Sequence, residues 1–385
     1  MSTRRTADLV VIGGGIVGWS AAYTASLAGA SVVVVDRRDA GQATAAGAGI
    51  ISPGTSHAPA GPMQDLAQAA VAFYPQLLDL LAADGQTETG FGTPGVLYLF
   101  QDEAELSQRA AKRVFAEGRK AAGVGFIGEI REIDSPTAQA IFPPLMPIAG
   151  ALHLSGASRI DGRKMRDSLQ AATVARGGAL IEGSATVQRD GDRITTVLVG
   201  DTAIAPGAVI VAGGAWTPEI AGVLGCDLAI YPQRGQILHL DLPDQETGSW
   251  PILHGLSNHY VLTFPHHRVV AGATREDDAG WVYAQTAAGV HSQLHEVLRV
   301  APGLAKAQVH EVRVGFRPAS RDGMPFLGQL PGIRNGYVAS GHGPSGLQNG
   351  PVSGAAVARI ALGGEAGIGL AAFAPGRTVD LTQSS

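Results

Sequence analysis

A chain of 385 residues has ample material for a buried core, and its length suits two or three domains or one two-lobed enzyme. With 45% hydrophobic and 16% charged residues it reads as a soluble, folded protein; a net charge of -5, with no Lys/Arg run beyond two residues, argues against nucleic acid and polybasic membrane contact. The single cysteine, Cys226, excludes an intramolecular disulfide and a cysteine metal cluster, and suits a reducing, cytoplasmic compartment.

Residues 9–35 form 27 consecutive positions without a charge, long enough to span a bilayer. Three consecutive glycines and a change of period, from β-branched run to helical run and back, argue against a continuous membrane helix. No small-x-small cleavage site marks a signal peptide. The same stretch reads as a buried strand, "ADLVVIG", a glycine loop, a helix, "IVGWSAAYTASLAGA", and a second buried strand, "SVVVVD". Gly13, Gly15 and Gly18 make G-x-G-x-x-G, and Asp36 follows Gly18 by 18 residues, where a partner for a ribose hydroxyl is expected. Such glycines permit a tight turn, close approach of a pyrophosphate and close helix packing, while the helix N-terminus offers N–H donors. The motif predicts a dinucleotide site without saying which dinucleotide. The small-residue loop "GQATAAGAGIISPG", residues 41–54, gives room for a bulky flavin or is a flexible glycine loop.

Onward, the spacing of apolar residues predicts a helix over 56–83, "GVLYLF" a strand, and "DEAELSQRAAKRVFAEG" an exposed helix. "FPPLMP" punctuates the chain before a helix and strand that lead to Val187. "AVIVAGGAW" is another buried strand, ending in Gly213 and Gly214, and "RGQILHLDL", "HYVLTF" and "RVVAGAT" have antiparallel character. His259, His266 and His267 lack the spacing of a metal site, the adjacent pair fitting a hairpin turn. "GPSGL" is not a G-x-S-x-G nucleophile elbow. "GHGPSGLQNGPVSG", residues 341–354, places five glycines and two prolines where a last helix begins.

Seven segments stand in one order along almost the whole chain: "VVIGGGIVG" with Asp36, "ATAAGAGIISP", "VIVAGGAWTPEI", "PQRGQILHL", "VVAGATRE", "VGFRPASRDGMPFLG" and "GHGPSGLQNGP". On them the chain resembles the D-amino-acid oxidase family of flavoproteins, nearest in pattern to glycine oxidase and bacterial D-amino-acid oxidases or dehydrogenases. The resemblance implies an α/β, two-domain α+β fold. A discontinuous Rossmann-like FAD-binding domain (1–90, 146–226 and 312–385) would be interleaved with an antiparallel-sheet substrate domain (91–145 and 227–311). It implies non-covalent FAD, since Cys226 is far from the C-terminal segment used for flavin linkage by sarcosine-oxidase relatives, and "ATAAGAG" has no histidine. The implied cofactor residues are Gly13, Gly15, Ile16, Val17 and Gly18, then Asp36 and Arg37, then Thr44, Ala45, Gly47, Gly49 and Ile50. Val187 follows, with Gly213, Gly214 and Trp216, and finally Gly341, His342, Gly343, Gly346 and Leu347. In the family the last segment passes the flavin ring, where a side chain would collide, and its helix N-terminus favours the negative charge of reduced flavin. No metal is implied.

On the substrate side, Arg317 in "GFRPAS" matches the arginine that holds a substrate carboxylate, a task suited to a planar guanidinium fork. Tyr260 matches a tyrosine that adds a second contact, although its alternation with Leu262 and Phe264 also fits a core strand face. Pro344 stands where glycine oxidase has an arginine, which weakens strict glycine specificity. Arg275 either reads an acidic group of the substrate or pairs with Glu276, Asp277 or Asp278, and the ion pair is the expectation. Arg313 faces either the pocket or the opposite side. The implied reaction is hydride transfer from Cα of a D-amino acid or glycine to flavin N5, giving an imino acid that hydrolyses to 2-oxo acid and ammonia. Oxygen, yielding H2O2, or a quinone takes the electrons. The alternatives are oxidation of secondary amino acids such as sarcosine or proline, and a 2-hydroxy-acid dehydrogenase of the same superfamily. A homo-oligomer is compatible with this reading, and no integral membrane segment is expected.

Overall fold

The computed structural model describes residues 3–55, 61–256 and 259–379. Its first sheet is built on the β-branched runs. Thr3–Ile12 lies between Val32–Asp36 and Thr202–Val211, parallel to both. Ala179–Glu182 continues the parallel sheet beyond Val32–Asp36, and Gly336–Ser340 continues it beyond Thr202–Val211. Phe326–Gln329 closes one edge antiparallel, and the hairpin of Ala185–Asp190 with Arg193–Val199 joins Thr202–Val211. Successive side chains of a strand point to opposite faces. Leu9, Val11, Val32 and Val34 accordingly enter one core, Val10, Ile12, Val33 and Val35 another, which is why these strands read as unbroken apolar runs. Helices Ile16–Leu27 and Gly346–Ala361 pack on each other: a Cβ at Gly354 would lie 2.3 Å from the Val17 carbonyl oxygen.

The second sheet has eight strands in the order Gln308–Ser320, Ile230–Asp241, Arg268–Gly272, His259–Thr263, Ile252–Leu256, Val96–Phe100, Gly150–Leu154 and Ile130–Ile133. It is antiparallel except where Ile252–Leu256 runs parallel to Val96–Phe100. "RGQILHLDL", "HYVLTF" and "RVVAGAT" all fall in it. Helix Ala287–Val300 covers one face, its Val297 and Val300 packing with Leu238, Leu240, Val261 and Val269.

Two assignments differ from the sequence reading. Gly150–Leu154, grouped there with 146–226, pairs with Val96–Phe100 and Ile130–Ile133 in the second sheet. Gln308–Ser320 crosses the expected boundary at 311/312, because its whole length forms one ladder with Ile230–Asp241. The helix expected over 56–83 is Pro62–Ala83; positions 56–60 lie outside the described residues. By length and composition this helix could cross a membrane. Its stripe of Leu66, Ala70, Tyr74, Leu77 and Leu81 is instead buried in the core, and the Tyr74 hydroxyl donates to the Leu347 carbonyl. His266 and His267 both take left-handed φ, 60° and 64°, in the turn before Arg268–Gly272. No group of three metal-capable side chains occurs among the described residues.

Candidate active site

The turn after Thr3–Ile12 has no room for side chains. Gly13 has φ of 115°, and a Cβ there would lie 2.3 Å from the Ala212 carbonyl oxygen. A Cβ at Gly18 would lie 1.9 Å from the Gly13 carbonyl oxygen, so Gly18 is where the helix touches its own entry turn. The Asp36 carboxylate, buried at the end of Val32–Asp36, accepts from the Gly14 amide at 3.1 Å, the Arg38 amide at 2.9 Å and the Gln42 side chain at 3.0 Å. Thr44 Oγ1 accepts from the Ile16 amide at 3.0 Å, which ties the small-residue loop to the helix start.

These groups open onto a cavity of about 780 Å³, at the large end of the roughly 300–1,000 Å³ typical of ligand sites. Eighteen of the twenty-one residues the sequence reading assigns to the cofactor line it: Gly13 and Gly15 with Ile16 and Val17, Asp36 and Arg37, the small loop, Val187, the Gly213–Trp216 turn and the His342–Leu347 segment. Three positions do not. Gly18 is used up in the turn. Ala45 turns its carbonyl away to Arg163 Nε at 3.1 Å and Arg313 Nη1 at 3.3 Å. Gly341, with φ of 86°, makes the bend after Gly336–Ser340 against Phe326.

The bare C-terminal stretch serves two purposes. Gly350 and Gly354 let the last helix approach Val17, where a Cβ would come within 2.9 Å and 2.3 Å of that residue's atoms. Gly343 and Gly346 have space at Cβ, on the cavity side. Helix packing is the reason for bareness at Gly350 and Gly354, whereas Gly343 takes a left-handed φ of 53° and Gly346 leaves its part of the cavity wall open. His342 lines the cavity buried, with its Nε2 unpartnered; burial pushes its pKa down to about 4, so the ring is neutral at pH 7. A glycine cradle, a satisfied Asp36 and an orphaned ring nitrogen on one cavity together fit a flavin dinucleotide.

At the other end, Arg317 and Tyr260 line the same cavity from different strands. Arg317 Nη1 donates to the Thr274 carbonyl at 3.0 Å, and its guanidinium lies against the bare backbone of Gly235, where a Cβ would come 2.4 Å from Nη1. Burial lowers the guanidinium pKa from its ordinary value. Burial likewise pushes the Tyr260 phenol up to about 12, against the pull of Arg317 and Arg275.

The expected ion pair of Arg275 does not form. Glu276 accepts instead from Arg234 Nε at 3.1 Å and Gln236 Nε2 at 2.8 Å, and Asp277 from Gln233 Nε2 at 2.9 Å. Arg275 is exposed at the cavity. Arg313 is not among the lining residues: it pairs with Glu311 at 2.6 Å. Pro344 lines the cavity; Cys226 does not, its Sγ lying 3.5 Å from the Pro331 carbonyl oxygen. Gly235 and Gln42 escaped the sequence reading. A glycine inside the strand-like "RGQILHL" was a signal of close approach; nothing in the sequence marked Gln42.

The family model of FAD dependent oxidoreductases (DAO) matches residues 8–360. The chain belongs to this DAO family. It is thus an FAD-dependent oxidoreductase, with the α/β architecture the family shares. Among relatives of this oxidoreductase, an uncharacterized oxidoreductase, YurR, of Bacillus subtilis (strain 168) is 38% identical over 370 residues, covering 95% of this chain and 98% of its own. A glycine oxidase of Pseudomonas putida is 28% identical, covering 96% and 98%. The solved structure of an iminodiacetate oxidase from Chelativorans sp. BNC1 matches with a TM-score of 0.90 at 35% identity, covering 95% and 98%.

Proposed function

We propose that this DAO-family enzyme oxidises the amine of a small α-amino acid, first of all a D-amino acid or glycine. The observation that carries the reading is the pair Arg317 and Tyr260, one fixed cation and one neutral hydroxyl, lining the same cavity. A guanidinium held on the Thr274 carbonyl keeps its remaining donors free for a carboxylate, and the Tyr260 hydroxyl adds a third donor. Bound FAD, held by the glycine turn, Asp36 and the His342–Leu347 segment, would supply the two-electron acceptor for the Cα hydrogen. Clamping the carboxylate at two points leaves one orientation for the neighbouring Cα, a gain in positioning that requires no protein base. Water then hydrolyses the imine to a 2-oxo acid and ammonia, with oxygen or a quinone as the final acceptor.

A second reading, oxidation of a secondary amine, is favoured by the likeness to a protein named for iminodiacetate, in which the nitrogen carries two carbon substituents. Anaerobic titration of the purified holoenzyme, following flavin absorbance, separates the two. Bleaching by glycine or D-amino acids supports the first reading, and bleaching by N-substituted amino acids alone supports the second. Bleaching by 2-hydroxy acids alone would overturn both.

A further inference from the structure

The cavity has an uneven charge. The carboxylates among its lining residues are Asp36, Asp39 and Glu219. Asp36 is taken up by backbone amides and Gln42, and the other two pair with Arg37, each at 2.8 Å. All three carboxylates therefore have partners within the protein. The other two lining guanidiniums, those of Arg317 and Arg275, have no lining carboxylate as partner.

The second guanidinium is that of Arg275. It follows strand Arg268–Gly272 by three positions, and the Thr274 carbonyl that anchors Arg317 belongs to the peptide bond joining Thr274 to Arg275. The two cations are thus hung from one peptide. The neighbouring acids are already engaged: Glu276 by Arg234, Gln236 and the Thr274 hydroxyl, and Asp277 by Gln233. Among the described residues Arg275 has neither a hydrogen-bond nor an ion-pair partner. Burial dominates the shifts of Arg317 and Tyr260; the Arg275 charge reaches both groups, adding to the lowering of Arg317 against Glu276 and Asp277 and pulling against the rise of Tyr260. Two guanidiniums on one cavity, neither paired with a carboxylate of its lining, suit a ligand with two negative groups.

We infer that Arg275 is a second carboxylate clamp and that the substrate is an amino dicarboxylate, one carboxylate on Arg317 with Tyr260 and the other on Arg275. The inference rests on the amine-oxidation reading above and narrows its substrate class. Two kinds of compound share this chemistry. In an acidic α-amino acid, loss of hydride from Cα to bound FAD and of a proton from nitrogen gives an imine whose hydrolysis releases ammonia and a 2-oxo dicarboxylate. In an N-carboxymethyl amino acid, the same loss from a carbon next to nitrogen gives an imine that hydrolyses to glyoxylate and a primary amino acid, with no ammonia.

The test is anaerobic single-turnover reduction of the holoenzyme by D-aspartate, D-glutamate and iminodiacetate, each against a monocarboxylate control, D-alanine for the first two and sarcosine for the last. A dicarboxylate should exceed its control roughly 10- to 100-fold in reduction rate over dissociation constant, the worth of one charge-assisted contact. Arg275→Gln should shrink that ratio at least tenfold while the flavin spectrum and melting temperature confirm an intact holoenzyme, and Arg275→Lys should restore part of it. Ammonia or glyoxylate among the products tells which kind of dicarboxylate is used. Reduction by monocarboxylates as fast as by dicarboxylates, or a ratio that Arg275→Gln leaves unchanged, overturns the inference alone. Failure of every amino acid, mono- or dicarboxylic, to reduce the flavin overturns the amine-oxidation reading and the inference with it.

Discussion

The two ends of the cavity are made of different material. The end containing Gly13, Gly14 and Asp36 is chiefly backbone: residues 13–16 and 36–44 are near one another in sequence, and their amides, carbonyls and missing Cβ atoms define the shape. The end containing Arg317 and Tyr260 is side chain, carried by strands that meet only through the register of the second sheet. A backbone cradle tolerates almost no substitution, whereas a side-chain cluster can change its chemistry without moving a strand.

The largest effect should come from the backbone end. Gly18→Ala places a methyl 1.9 Å from the Gly13 carbonyl oxygen, with no flexible side chain to yield. Overpacking of this kind costs about 1–3 kcal/mol, occasionally more, and here it distorts the turn as well. Loss of flavin absorbance after purification and a lower melting temperature are the expected outcomes. A Gly18→Ala protein that remains fully yellow would show that the turn is not rigid, and the contrast between the ends would lose its basis.

Arg317 variants probe the opposite end. Arg317→Leu should retain flavin but lower kcat/KM on the order of 10²- to 10³-fold, the penalty for removing one partner of a desolvated charge pair. Arg317→Lys should recover little, because an ammonium cannot reproduce the bidentate fork. Tyr260→Phe should cost about tenfold, as expected for one neutral hydroxyl donating to an anion. Steady-state kinetics with the best substrate from the titration orders the three. Equal losses for Arg317→Leu and Tyr260→Phe would mean that the two act as core rather than as a graded clamp.

The same contrast explains what the sequence revealed. Strand, glycine turn, helix, strand and Asp36 were legible because local sterics write them into contiguous residues. The purpose of the C-terminal glycines was only half legible: Gly350 and Gly354 answer to Val17 on another helix, a contact more than 300 positions away. Arg275 was misread for a related reason. Three adjacent acids made an ion pair the economical expectation, but Arg234 and Gln236 arrive from the neighbouring strand and claim Glu276. Gly150–Leu154 likewise joined the second sheet because of partners that no local pattern names.

Two buried histidines, His342 in the cavity wall and His239 outside it, predict a pH dependence that is small at neutrality. Burial holds His342 at about 4 and His239, beside Arg313, Glu311, Arg268 and Arg163, at about 3. Both values lie below the ordinary 6.5, so between pH 6.5 and the folded value the unfolded chain binds more protons than the native one. Stability is full above that window and falls as pH drops through it, by up to about 1.4 kcal/mol per pH unit for each ring. The depressed carboxylates Asp161 and Glu311 add their losses only at lower pH, below the ordinary carboxylate range. His239 has both ring nitrogens unpartnered, so His239→Leu removes a titrating group and no hydrogen bond. Melting temperatures of the two proteins should therefore nearly coincide at pH 7.5 and separate steadily toward pH 4.5, the variant falling less. Parallel curves would locate the acid sensitivity at the cavity, in His342, rather than in the second sheet at His239.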